Sequence, residues 1–153
     1  MNSAEEKIVL RLPARSEYLD LIRLTLYGVA TKVGFTYEEI EDMKVAVSEA
    51  CNNAVLYAYA GHADSDGAGE MEIRFVRTPD ALSIIVKDEG ASFDAASVAQ
   101  KAEPLHGKSI HDIQAGGLGL YLMQALMDEV EVRSEIGTEV VLTKRLVKSG
   151  ELA

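Results

Sequence analysis

The stretch EACNNA at residues 49–54 places a carboxylate, Glu49, four residues before an amide, Asn53, with a second amide, Asn52, between them. On a helix the pair lies about 40° apart around the axis, so both side chains rise from one face, one turn apart. A carboxylate and an amide oxygen so held can jointly address a hard cation, an attacking hydroxyl or a water. Three further stretches carry residues capable of chemistry: Asp88-Glu89-Gly90, GGLGL at 116–120 and Gly137-Thr138. Glycines just ahead of a helix let the backbone approach an anion, and the unpaired N–H groups of the helix start point towards it. Taken singly, each stretch also fits a plain structural role: a solvated helix face, a turn after a strand, a flexible loop.

The elements that must position these residues follow from periodicity. Ile8, Leu10 and Leu12 alternate before Pro13, which predicts a first strand over 7–14. Leu19, Ile22, Leu26, Val29 and Ala30 recur at helical spacing, predicting a helix that Ser16 caps and Gly34 stops. Thr36 and Glu39 have the spacing of a capping box and open a second helix to about Tyr59. Its apolar stripe is Met43, Val47, Ala50, Ala54 and Ala58, with Cys51 and Val55 beside it, and Glu49 and Asn53 fall roughly opposite. The runs MEIRFVR and ALSIIVK flank Thr78-Pro79-Asp80 as a hairpin. After Asp88 no clear period appears until Gly116, which suits a functional lid or a mobile segment. GGLGLYLMQALMDEV then opens a third helix, and EVEVRS with GTEVVLTKRL forms a closing hairpin through Ile136-Gly137. Such an order suits a helical layer on a mostly antiparallel or mixed sheet.

The 153 residues are about one domain, read here as a single unit over 1–153, and 48% of them are hydrophobic, enough for a real core. A net charge of −10 argues against a duplex nucleic-acid partner. It also requires that any phosphate be held by local devices such as a metal, a helix end or backbone N–H groups. One cysteine, no apolar leader at MNSAEEKIVL and no membrane-length apolar run lead us to expect a cytoplasmic protein with no membrane partner.

Rival motifs fit less well. GGLGLY does not follow a strand directly, as a dinucleotide fingerprint requires. HGKS at 106–109 matches the end of a P-loop, but the first glycine of that motif would fall on Ala102. His62, His106 and His111 lack the spacing of zinc ligands.

Read in order, SEACNNAV (48–55), KDEGASFD (87–94), AGGLGLYLM (115–123) and the closing Gly137-Thr138 resemble the N, G1 and G2 boxes and the final GT of the GHKL ATPases, the Bergerat-fold family. With LIRLTLYGVA (21–30) and LMDEVEV (126–132), the chain is most similar to the RsbW-type anti-sigma serine kinases of that family. The resemblance implies an α+β fold, a two-layer sandwich with a mixed, mostly antiparallel sheet and helices on one face. It implies ATP and Mg²⁺ as cofactors, with Glu49 as general base and Asn53 as the metal-holding amide. Asp88 would accept from the adenine amino group, Gly90 would give the base room, and Thr138 would support the adenine end. Gly116, Gly117 and Gly119 would line the phosphates beneath a lid over about 94–115, within which Lys108 and Ser109 would touch phosphate. Ser92 stands at the second glycine position of the wider family's DxGxG box. Arg23 aligns with an arginine that meets protein partners. The implied partners are a sigma-B-like sigma factor and an anti-anti-sigma factor that accepts phosphate on serine, with the kinase a homodimer. Three alternatives stand beside this reading: a nucleotide-dependent binding module without kinase activity, a histidine-kinase-like catalytic domain, and an unrelated α+β domain whose polar helix face is merely solvated.

Overall fold

The alternating strand at the start of the chain forms as β1 (Glu6–Pro13), its inward residues increasingly covered from exposed Ile8 to buried Leu12. The computed structural model describes residues 5–55, 69–88, 117–135 and 137–146. Ser16 does not cap the first helix as expected. It begins a 3-10 turn (Ser16–Tyr18), in which the Tyr18 N–H donates to the Arg15 carbonyl at 3.1 Å. A backbone acceptor thus already takes an N–H that a serine cap would serve. Helix α1 (Leu19–Val33) follows, burying Leu19, Ile22, Leu26, Val29 and Ala30. It ends where expected, at Gly34, whose φ of 114° lies in the left-handed region and whose N–H donates to Ala30 O at 3.1 Å.

The expected capping box opens α2 (Tyr37–Asn53): the Glu39 N–H donates to Thr36 Oγ1 at 3.2 Å, and the Thr36 N–H donates to Glu39 Oε1 at 2.8 Å. Two orphan donors are thereby satisfied and the helix phase is set. That phase buries Ile40, Met43, Ala46, Val47, Ala50 and Cys51 and turns Glu49 and Asn53 to a half-buried side. The Ala54 N–H still donates to Ala50 O and Cys51 O. The expected continuation to Tyr59, with Ala58, lies outside the described residues.

Strands β2 (Glu70–Arg77) and β3 (Ala81–Asp88) form the expected hairpin, where the Ala81 N–H donates to Thr78 Oγ1 at 3.1 Å. Helix α3 (Gly117–Leu126) leads to a second hairpin of β4 (Glu129–Glu135) and β5 (Gly137–Arg145). The five strands lie in the order β1-β2-β3-β5-β4, and every pairing among the described residues is antiparallel.

Period-two alternation sends Met71, Ile73, Phe75, Leu82, Ile84, Val86, Val140 and Leu142 to one face of the sheet. They are buried there in one cluster with the apolar stripes of α1 and α2 and with Leu120 and Met123 of α3. The other face carries Arg11, Glu72, Lys87, Glu139 and Arg133 in one row of alternating sign across all five strands. The two ion pairs of this row, Arg11–Glu72 and Arg133–Glu139, reach solvent and contribute about 0–1 kcal/mol each, whereas each fully buried large apolar side chain contributes about 1.5–3 kcal/mol. The helix-covered face therefore holds the fold together, and it alone can enclose a site between layers.

Candidate active site

The close approach of α3 to α2 is set by a missing side chain. A Cβ added at Gly119 would stand 3.0 Å from Glu49 Oε1, 3.6 Å from Asn53 Nδ2 and 3.8 Å from Asn53 Oδ1. The two polar side chains of α2 thus converge on the first turn of α3, where Gly117 is the opening residue. A helix start presents unpaired N–H groups and a positive dipole end. Carboxylate, amide and donor-rich backbone share one small volume, a set suited to a hydroxyl proton, a hard cation and an anion. No group of three or more His, Cys, Asp or Glu side chains able to hold a metal occurs among the described residues. A cation here would rest on Asn53 and on oxygens brought by a ligand, as Mg²⁺ commonly does.

A second polar pair lies on the sheet beneath α2. Asp88, the last residue of β3, is the Cα partner of Thr138 near the start of β5. Each is only 3% exposed, and they are the buried polar side chains among the described residues. Thr138 Oγ1 has no hydrogen-bond partner among those residues. A buried hydroxyl without a partner costs about 1–3 kcal/mol, a cost that any group bringing one would relieve. Such a hydroxyl beside a buried carboxylate fits the expected adenine end. Thr138→Val keeps the shape and removes the orphan. The free protein should gain about 1 kcal/mol in urea denaturation while its affinity for ATP falls.

Arg23 of α1 is half-buried, and its Nε donates to Ser48 Oγ at 2.8 Å, tying α1 to the residue preceding Glu49. Ser48 escaped the sequence reading, because nothing in local spacing links positions 25 residues apart. Cys51, on the core side of the same helix, is buried; burial pushes its thiol up to about 12, with the Arg23 guanidinium pulling weakly the other way. It is a protonated core residue, as its position beside the apolar stripe suggested.

The structure therefore brings Glu49, Asn53 and Gly119 together and, separately, Asp88 with Thr138, with α2 packing on both β3 and β5. Gly90, Ser92, Lys108, Ser109, Gly116 and the lid at about 94–115 lie outside the described residues. No helix among the described residues is long and apolar enough to cross a membrane.

A family model for the histidine kinase-like ATPase domain matches residues 12–144. The serine-protein kinase RsbW of Bacillus pumilus is 49% identical over 147 residues, covering 95% of this chain and 90% of that protein. The serine-protein kinase RsbW of Bacillus subtilis is 48% identical over the same length, covering 95% of this chain and 89% of that protein. Among solved structures, the RsbU and RsbW domains of a Mycobacterium tuberculosis protein superpose with a TM-score of 0.65 at 20% identity, over 94% of this chain and 33% of that one. The SiaB–SiaC complex of Pseudomonas aeruginosa gives 0.61 at 14% identity, over 91% of this chain and 88% of that one. At such identities these two structures speak to the fold.

Proposed function

Since the chain belongs to the histidine kinase-like ATPase domain family, and within it to the RsbW serine-protein kinases, we propose that it is an anti-sigma factor and ATP-dependent protein serine kinase. It sequesters a sigma-B-like sigma factor and phosphorylates a serine of its anti-anti-sigma antagonist, exchanging one partner for the other. The observation that carries the reading is the convergence of Glu49 and Asn53 on the Gly119 backbone, which supports a proton acceptor and a metal-ligating amide acting beside phosphates at the start of α3.

When bound, Mg-ATP would supply the γ-phosphoryl group, with ADP leaving as the β–γ bridging P–O bond breaks and Mg²⁺ offsetting the charge on the phosphates. Glu49 takes the proton of the attacking serine hydroxyl. Asn53 would hold Mg²⁺, and Gly117 and Gly119, with Gly116, would line the phosphates. Asp88 and Thr138 would orient adenine, with Gly90 giving it room, and Lys108 and Ser109 would close over the phosphates from the lid. Positioning carries most of the work, because phosphoryl transfer asks little covalent chemistry of the protein. Arg23, held by Ser48, would face the protein partners of a cytoplasmic homodimer.

The deciding experiment is incubation with γ-labelled ATP, Mg²⁺ and candidate antagonist proteins, followed by mapping of the modified residue. Label on an antagonist serine is the expected result. Label on a histidine of this chain, or sigma capture with no transfer to any antagonist, would overturn the kinase assignment.

A further inference from the structure

We propose that Gly119 is a positioning residue for the Glu49 carboxylate, a role separate from lining phosphate; this rests on Glu49 acting as the base. Gly119 lies inside α3, and the positive φ among described glycines belongs to Gly34. Conformational freedom is therefore not what the position needs. Helical propensity would favour alanine there. What the position needs is space: the added Cβ would stand 3.0 Å from Glu49 Oε1, closer than a carbon and an oxygen ordinarily approach, while its 3.6 and 3.8 Å distances to the Asn53 amide atoms are ordinary contacts.

The asymmetry decides which group moves. Helix α2 cannot retreat, because Met43, Val47 and Cys51 on its far side are 0% exposed in a close-packed core. The half-buried Glu49 side chain must yield, by a few tenths of an ångström, while Asn53 keeps its place. Gly119 thus lets the base stand against the first turn of α3, where phosphates would lie, without displacing the metal-holding amide.

The test is Gly119→Ala, alone and combined with Glu49→Asp, which withdraws the carboxylate by one methylene. Gly119→Ala should melt no lower than the parent, since alanine suits a helix. Its kcat for serine phosphorylation, measured at saturating ATP, should fall about 5-fold, by scaling from the roughly 10²-fold cost of a 1 Å misplacement. The double variant should lose little beyond Glu49→Asp, because the shortened acid no longer meets the methyl. In ligand-free protein, the ¹³C resonance of the Glu49 carboxylate should move in Gly119→Ala, whatever the activity does. Strictly additive losses or an unmoved carboxylate resonance would each overturn the proposal. Parental turnover in Glu49→Ala would instead bring down the underlying base assignment, so the two failures are distinguishable.

Discussion

Glu49→Ala should lower the rate of serine phosphorylation by about 10²–10⁴-fold, the range of a general base, while leaving ATP affinity nearly unchanged. The separation follows from where the residue stands. Glu49 and Asn53 rise from the same face of α2, both within reach of the Gly119 backbone, but they differ in chemistry. The carboxylate is the stronger proton acceptor, and the neutral amide oxygen is a ligand that brings no added negative charge near a triphosphate. Removing the acid leaves the amide, the α3 start and the Asp88–Thr138 pair in place, so the groups proposed to hold the nucleotide survive. Its backbone is fixed by the core side of α2, where Ala50 and Cys51 are 1% and 0% exposed, and an alanine on the half-buried side should leave the melting temperature nearly where it was. Single-turnover phosphotransfer and calorimetric ATP titration on the same preparation check the prediction. Equal turnover in the variant would remove Glu49 from the mechanism.

Asp88→Ala should weaken ATP binding by about 5- to 150-fold, corresponding to the 1–3 kcal/mol cost of leaving a buried polar group without its partner. The carboxylate ends β3 on its core-facing side, in alternation with Leu82, Ile84 and Val86, and is as buried as they are. A carboxylate in that company is an acceptor aimed into the layer between sheet and helices. The adenine amino group is the donor such an acceptor would select. A comparison of ATP with inosine triphosphate makes the test specific: the parent should discriminate strongly between them, and Asp88→Ala should discriminate little, since a site that hydrogen-bonds a substrate group rejects analogues lacking it. Because Asp88 also engages other protein groups, the variant's melting temperature is recorded alongside. Unchanged ATP affinity in a folded variant would contradict the adenine role.

How much of this could be read from the chain depended on how local each determinant is. The Thr36–Glu39 box, the Gly34 stop and the Thr78 turn are satisfied within a few residues of themselves, and each forms where its residues stand. Ser16 failed as a cap because a backbone bond from Tyr18 to Arg15 took priority, a competition that residue type alone does not resolve. Helical phase placed Glu49 and Asn53 together, but the distance from Gly119 to both depends on how α3 lies on α2. Nor does any pattern say that β5, and not β4, lies next to β3. Yet that choice is what seats Thr138 opposite Asp88. The Arg23–Ser48 bond joins two helices whose alignment is equally non-local.

The seam between β3 and β5 has a consequence for biogenesis. Each hairpin can close from neighbouring residues, but the seam joins Ser83 to Thr143, hydroxyls 2.9 Å apart and sixty positions distant along the chain. Loop-closure entropy makes such long-range pairing slow. A nascent polypeptide emerging from the ribosome thus holds its carboxylate acceptor long before the opposing threonine has been synthesised. On the adenine role proposed for Thr138, competence to capture nucleotide arrives only once β5 is paired, so ligand association would act as a clock for closure of this seam.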